Sequence, residues 1–141
     1  MKKYEFTGEV KFYFGRKLLQ IRALISFGNV NAGDIGGWIE REENLSHNGN
    51  AWVSGNARVS GNALVSGNAD YTTIKGFGSC FRTTTFFRCK DSLIRVVCGC
   101  FYGTIEEFKA KVKETHKETK LAVEYLKIAE LMEFHFKREE G

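Results

Sequence analysis

The segment from residue 75 to residue 95 combines cationic, aromatic and hydroxyl side chains. The cations that could contact a ligand are Lys75, Arg82, Arg88 and Arg95. They are interleaved with phenylalanines and with three threonines at residues 83–85. Positive charge suits phosphate, an aromatic ring suits a stacked base, and hydroxyls suit the edge of a sugar. The segment predicts a site for an anionic, nucleotide-like ligand; the alternative is a phenylalanine core with arginines outside it.

Four cysteines could also do chemistry, and they are Cys80, Cys89, Cys98 and Cys100. Cys98 and Cys100 have one residue between them, whereas structural zinc sites normally use two to four. Cys80 and Cys89 lie among phenylalanines, which is typical of buried thiols. We therefore expect core cysteines, no metal site and no cofactor, with zinc or a disulfide as the alternatives.

A six-residue repeat occupies residues 50–55, 56–61 and 62–67, and a fourth copy begins at residue 68. Each of the three complete copies carries Ala and Val two positions apart, and such residues share one side of a strand. We expect those pairs to face inward and the residue between them to point outward. The outward positions are Trp52, Arg58, Leu64 and Asp70. Trp52 and Arg58 are thus further candidate ligand contacts, and Arg58→Ala is expected to change stability by about 0.5 kcal/mol or less.

The repeat resembles that of the hexapeptide-repeat proteins, which form left-handed parallel β-helices. The resemblance rests on stretches such as Val53-Ser54-Gly55-Asn56-Ala57-Arg58. Residues 33–40 also look like the lead-in of small phage and prophage members of unknown role. The resemblance implies a short parallel β-helix with threefold packing of subunits.

Many hexapeptide-repeat proteins are acyltransferases that use a histidine on the coil as a general base. The histidines of this chain are His47, His116 and His135, and His47 lies in a two-residue insertion beside the repeat. General base catalysis also needs an orienting acid and a donor groove, for which the repeat is too short. We therefore assign no catalytic residue and keep an acyltransferase as an alternative.

The flanking elements are a hairpin and two helices. Alternation over residues 4–27, with a turn at Gly15-Arg16, predicts the hairpin. Thr104 and Glu107 form a capping box that starts the first helix. The second helix has an apolar face that could also contact a neighbouring subunit, formed by Leu121, Tyr125, Ile128, Met132 and Phe136.

We expect a mainly β fold with C-terminal α: a short left-handed parallel β-helix capped by the hairpin and the two helices. Residues 1–103 would form the hairpin and β-helix, and residues 104–141 the helical cap and oligomerisation segment. The chain has 141 residues and a formal net charge of +4, too small a charge to demand a nucleic acid. No apolar run has the length of a membrane span and no secretion signal is evident, which favours the cytoplasm.

These features favour a non-enzymatic binding protein that forms a homo-oligomer, preferably a trimer or a multiple of it. The phage-type resemblance implies a counter-defence role, either blocking a host defence protein or sequestering a small anionic nucleotide in the host cytoplasm. An acyltransferase and a structural scaffold are the alternatives. Neither a membrane nor DNA or RNA is an expected partner.

Overall fold

The N-terminal hairpin begins the first of two sheets. The computed structural model describes residues 2–13, 15–67, 70–77, 82–99 and 101–137, and of Arg82 it describes the backbone alone. Strands β1 (Tyr4–Tyr13) and β2 (Arg16–Ala23) pair antiparallel, which confirms the predicted hairpin. Strand β3 (Ile35–Ile39) pairs antiparallel with β2, and β4 (Arg58–Val59) pairs parallel with β3. A 3-10 turn at Glu42–Asn44 follows β3.

The prediction of a left-handed parallel β-helix is wrong. Between described residues, parallel pairing is confined to β3 with β4 and to one bridge from Leu45 to Val65. After the third repeat the chain forms a four-stranded antiparallel sheet instead. Its strands in order are β5 (Tyr71–Phe77), β6 (Arg82–Arg88), β7 (Ile94–Cys98) and β8 (Phe101–Thr104).

The second sheet lies against the third repeat, where the predicted β-helix would have continued. The Leu64 N–H donates to the Arg88 carbonyl at 2.9 Å, and Ala63 forms an antiparallel bridge with Cys89. The end of β6 therefore satisfies backbone groups of the third repeat. The third repeat therefore pairs with an antiparallel strand and not with another hexapeptide.

The predicted interior of the repeat is confirmed. Its inward side chains have no exposed area, and they are Ala51, Val53, Ala57, Val59, Ala63 and Val65. The outward assignment fails at two positions, since Arg58 and Asp70 are each only 9% exposed. Both face neighbouring elements that the repeat pattern cannot reveal: the hairpin tip and β7–β8 turn beside Arg58, and Arg88 of β6 beside Asp70.

The second sheet separates two cores. Phe87 and Val97 pack with the repeat interior, whereas Phe86 and Val96 pack with the helices. Neighbouring residues on a strand point to opposite faces, so each strand serves both cores. The helices are α1 (Ile105–His116) and α2 (Lys120–His135). At the start of α1 the Glu107 N–H donates to Thr104 Oγ1 at 3.2 Å and the Thr104 N–H to Glu107 Oε1 at 2.9 Å, which confirms the capping box.

The apolar face of α2 packs within the chain. Four of the five predicted interface residues are buried, namely Tyr125, Ile128, Met132 and Phe136, while Leu121 is half-buried. The core between α2 and the second sheet thus uses most of the face that we predicted for a partner subunit. α1 begins directly at the proposed boundary near residue 104, although the division into two parts stays a prediction. In the described part of the chain, no helix has both the length and the apolar character needed to cross a membrane.

Candidate functional site

A cavity of about 100 Å³ lies where the hairpin tip, the repeat and the β7–β8 turn meet. Its lining comprises Tyr13, Arg16, Leu18, Arg58, Ser60, Val97, Gly99, Phe101 and Tyr102. Two guanidinium groups and three aromatic rings therefore share one small space, which we call the arginine–tyrosine cavity. Its residues come from five strands, β1, β2, β4, β7 and β8, and from the segments that follow β4 and β7.

Arg58 forms the inner wall of the arginine–tyrosine cavity. Its position in β4, opposite Trp38 of β3, fixes the backbone, and its N–H also donates to Thr85 Oγ1 at 3.2 Å. The guanidinium carbon lies 4.0 Å from the centre of the Tyr13 ring, and Nη2 donates to the Gly99 carbonyl at 3.2 Å. A guanidinium over a ring gains a cation–π contact across its face. The hairpin tip and the β7–β8 turn thus hold this buried cation in place.

Arg16 has a similar arrangement nearer the surface. Its guanidinium carbon lies 4.3 Å from the centre of the Tyr102 ring, and Nη1 donates to Glu40 Oε1 at 2.8 Å. The same Glu40 oxygen accepts the Gly61 N–H at 2.7 Å, which fixes the carboxylate to the repeat. Arg16 is therefore oriented from two sides, by a ring and by an anchored carboxylate.

The absence of a side chain at Gly61 provides the space that the Tyr102 side chain occupies. A Cβ built at Gly61 would collide with the Tyr102 hydroxyl, and the φ of +65° at Gly61 also favours glycine. The half-buried position of Tyr102 raises the pKa of its hydroxyl, with burial as the main cause. Tyr102 thus contributes a neutral hydroxyl and a ring that supports Arg16.

The arrangement is suited to holding a small anion. Guanidinium groups present N–H donors in a fixed plane that matches phosphate and carboxylate oxygens. A volume near 100 Å³ corresponds to roughly three water molecules, so it admits one such group rather than a whole nucleotide. Tyr13 is 40% exposed at the hairpin tip and offers a ring near the cavity for the rest of a ligand.

Arg88 and Arg95, two of the predicted ligand contacts, lie elsewhere and face carboxylates. Arg88 Nε donates to Asp70 Oδ1 at 3.0 Å, and Nη2 donates to the Phe136 carbonyl at 3.0 Å. Arg95 donates to both oxygens of Asp91, at 3.0 and 2.9 Å. These ion pairs join the repeat to the end of α2 and close the β6–β7 turn.

The Asp70 carboxylate is held by several donors. Its Oδ2 accepts from Ser66 N, Ser66 Oγ and Gly67 N at 2.9 to 3.1 Å. Burial is the largest influence on the pKa of Asp70 and would raise it, but the hydrogen bonds from Ser66, Arg88 and Gly67 together outweigh burial. The pKa of Asp70 is therefore below its usual value.

The remaining predicted contacts are dispersed. Lys75 is exposed on β5, and the side chain of Arg82 lies outside the described residues. Trp52 is half-buried beneath the N-terminal segment, where it makes edge contacts with Tyr4 and Phe27 at centroid distances of 6.5 and 5.5 Å. Of the five predicted contacts whose side chains the structure describes, only Arg58 lines the arginine–tyrosine cavity.

His47 is engaged in structural contacts. Its Nδ1 accepts the Lys3 N–H at 3.0 Å, and its ring stacks on Tyr4 at a centroid distance of 4.1 Å. Nε2 must then carry the proton of the neutral ring, and it lies 3.5 Å from Glu42 Oε2 without a hydrogen bond in the described structure. The Nδ1 lone pair is therefore already in use, which disfavours removal of a substrate proton by this nitrogen.

The described cysteines are core thiols. Cys89 is buried with the repeat interior, as predicted, and burial raises the pKa of its thiol, although Arg95 opposes the rise. Cys98 is half-buried and accepts a hydrogen bond from Thr84 Oγ1 at 3.4 Å. Cys80 and Cys100 lie outside the described residues. Within the described ranges, His, Cys, Asp and Glu side chains form no group of three that could hold a metal ion.

Sequence reasoning missed Arg16 and the tyrosines of the cavity. Gly15-Arg16 served only as a turn signal, although Arg16 and the buried Leu18 share one side of β2. Because residues two apart on a strand point to the same side, the apolar Leu18 already indicated that Arg16 faces inward.

Comparisons with family models, curated proteins and solved structures find no match for this chain. The assignment of the site therefore depends on its geometry alone.

Proposed function

We propose that the protein acts in the cytoplasm as a non-enzymatic binding protein that captures the phosphate group of a small ligand. The observation that carries the proposal is that Arg16 and Arg58, each stacked on a tyrosine, line one cavity. Rings that support the guanidinium faces keep the two cations oriented before a ligand arrives. Such preorganisation reduces the entropy lost on binding.

The size of the cavity supports a phosphate rather than a larger group. The inner wall of Arg58, Ser60 and Gly99 is buried, so the bound group would exchange water for charged donors. A nucleoside attached to the phosphate would extend towards Tyr13 and Phe101, whose rings provide stacking surface. If the chain is of phage type, this binding would sequester a nucleotide signal of the host.

Acyl transfer is the less favoured function because the Nδ1 lone pair of His47 is occupied by the Lys3 N–H. His47 is also absent from the lining of the arginine–tyrosine cavity. Phosphate capture requires no proton transfer, and it uses side chains that already converge. The blocking of a host protein and a scaffold role stay predictions from the sequence.

The test is calorimetric titration of the purified protein with inorganic phosphate and with adenosine 5′-monophosphate. Arg16→Ala should weaken phosphate binding roughly tenfold to a hundredfold, because a charged hydrogen bond contributes about 1.5–3 kcal/mol. Arg22→Ala is the matched control: Arg22 lies on the same strand and pairs with Glu5 at 2.8 Å, away from the cavity.

Equal affinity in wild type and Arg16→Ala would place any phosphate site elsewhere and refute the proposal. If Arg16→Ala and Arg22→Ala reduced the heat of phosphate binding equally, phosphate would be binding to the general positive charge of the surface and not to the cavity. Tighter binding of the mononucleotide than of phosphate would show that the rings near the mouth contribute.

A further inference from the structure

Helix α2 presents a second face that its own chain does not cover. Three large apolar side chains on it are exposed: Val123 at 50%, Leu131 at 58% and Phe134 at 78%. The opposite face holds the buried residues Tyr125, Ile128 and Met132 and packs on the second sheet. An exposed apolar strip on a helix that is already anchored is typical of an interaction surface.

The residues of this strip follow the spacing of a coiled-coil seam. Val123, Lys127, Glu130 and Phe134 are separated by four, three and four residues, so they lie in one row along the helix. All four are exposed, and Leu131 borders the row. The row is about 16 Å long at 1.5 Å per residue. We call these four residues the α2 seam.

The α2 seam is complementary to itself when two copies run antiparallel. A twofold axis midway between residues 128 and 129 places Val123 opposite Phe134 of the other copy and Lys127 opposite Glu130. Each of these facing pairs occurs twice, as twofold symmetry requires. Two ion pairs would then lie at the centre with an apolar contact on either side.

Other arrangements of the same residues are unfavourable. Parallel helices in register would place Lys127 against Lys127 and Glu130 against Glu130, which are repulsive contacts. An antiparallel shift by one heptad would place Lys127 opposite Val123 or opposite Lys137. Among the described residues, neither Lys127 nor Glu130 forms an ion pair within the chain, so both charges are available for a partner.

We propose that a second copy of this chain binds antiparallel along the α2 seam to form a homodimer. The surface differs from the buried face that the sequence suggested for oligomerisation. Phe134 supplies the main apolar contact, and the Lys127–Glu130 pairs select the register and the direction. The seam is short compared with standard interfaces, so the dimer is expected to be of moderate affinity and to dissociate on dilution.

The test is sedimentation equilibrium of the full chain between about 10 and about 500 µM, a range that spans micromolar dissociation constants. Wild type should shift from monomer to dimer mass with concentration. Lys127→Glu should be monomeric throughout, because the new glutamate of each copy then faces Glu130 of the other copy. Glu130→Lys should be monomeric for the converse reason. Lys113→Glu, the same charge change at an exposed site on α1, should dimerise like wild type.

The decisive measurement mixes the two single variants. Lys127→Glu and Glu130→Lys, each monomeric alone, should form a heterodimer in equimolar mixture, since every facing pair is then attractive. The double variant should dimerise with itself for the same reason. Circular dichroism confirms that each variant is folded.

Three outcomes would overturn the proposal. A wild type that stays monomeric at the highest concentration would do so, as would a trimer mass. A mixture of the two single variants that remains monomeric would exclude the antiparallel register even if wild type dimerises.

Discussion

Four arginines that the structure describes, Arg16, Arg58, Arg88 and Arg95, form two groups that differ in their nearest contacts. Arg88 and Arg95 donate to the carboxylates of Asp70 and Asp91, whereas Arg16 and Arg58 lie over tyrosine rings at 4.3 and 4.0 Å. Arg88 also faces the Phe136 ring, but at the longer distance of 5.9 Å. A carboxylate uses the in-plane N–H donors of a guanidinium, but a ring contacts only its face. Arg16 shares features of both groups, because it also donates one N–H to Glu40. The comparison suggests that the first group holds the fold together and that the second prepares a site.

The largest effect on stability is expected from Arg88→Ala. Arg88 is 12% exposed and ties Asp70 at the end of the repeat to the carbonyl of Phe136 at the end of α2. Its removal leaves a buried carboxylate with fewer donors, so the free energy of unfolding should fall by about 2–4 kcal/mol. Urea denaturation followed by tryptophan fluorescence measures this loss. Lys75→Ala, at an exposed position of β5, should stay within about 0.5 kcal/mol of wild type.

The pH dependence of stability provides a second readout for the same ion pair. A carboxylate whose pKa is lower in the folded state binds fewer protons when folded, so its contribution is complete above the unfolded pKa of about 3.9. That contribution is lost as pH falls through the lower folded pKa of Asp70. The stability advantage of wild type over Asp70→Asn should therefore shrink below about pH 4.

Phosphate titration of Arg88→Ala provides the contradicting outcome for this group of arginines. If the variant is folded but no longer binds phosphate, Arg88 belongs to the binding group, as its sequence context predicted.

Alanine substitutions at two glycines in equivalent positions of successive repeats should have a smaller effect on stability. They allow a closer comparison, because the two positions differ mainly in what surrounds the added Cβ. Gly55 and Gly61 have φ values of +61° and +65°, but a Cβ meets open space at Gly55 and the Tyr102 hydroxyl at Gly61. Gly55→Ala should cost about 1 kcal/mol for the left-handed backbone alone. Gly61→Ala should cost about 2–3 kcal/mol, because the Tyr102 ring must also move.

Phosphate titration of the two variants separates stability from function. Binding should weaken in Gly61→Ala, since Tyr102 supports Arg16, and should be unchanged in Gly55→Ala. Equal affinity in both variants would show that the position of Tyr102 does not matter to the site. That result would weaken the distinction between arginines on rings and arginines on carboxylates.

The parts of the fold that sequence reasoning predicted depend on local patterns. The hairpin follows from alternation, the repeat interior from the spacing of Ala and Val, and the start of α1 from Thr104 and Glu107. The central strand β6 of the second sheet escaped prediction because it is covered on both faces. Phe86 and Phe87 are both fully buried, so β6 lacks the alternation of a half-exposed strand.

The candidate site was harder to predict because it depends on contacts between distant segments. Arg16 comes from the hairpin, Arg58 from the repeat and Tyr102 from β8, and no local spacing relates them. The sequence drew attention to Lys75–Arg95, where cations and rings are close along the chain. In the structure, Arg88 and Arg95 of that segment face carboxylates, and the rings of Phe86 and Phe87 lie in the two cores.

The smallest effect is expected from Arg95→Ala, which tests the comparison most directly. Arg95 makes two hydrogen bonds with Asp91, whose side chain is 40% exposed, and such partly exposed pairs contribute about 1 kcal/mol or less. Stability should therefore change little, and phosphate affinity should equal that of wild type, in contrast to Arg16→Ala. Both variants remove one arginine and one ion pair, so the change in net charge is the same. If Arg95→Ala weakened phosphate binding as much as Arg16→Ala, the ring contacts would not mark the site, and the segment that the sequence selected would be the better candidate.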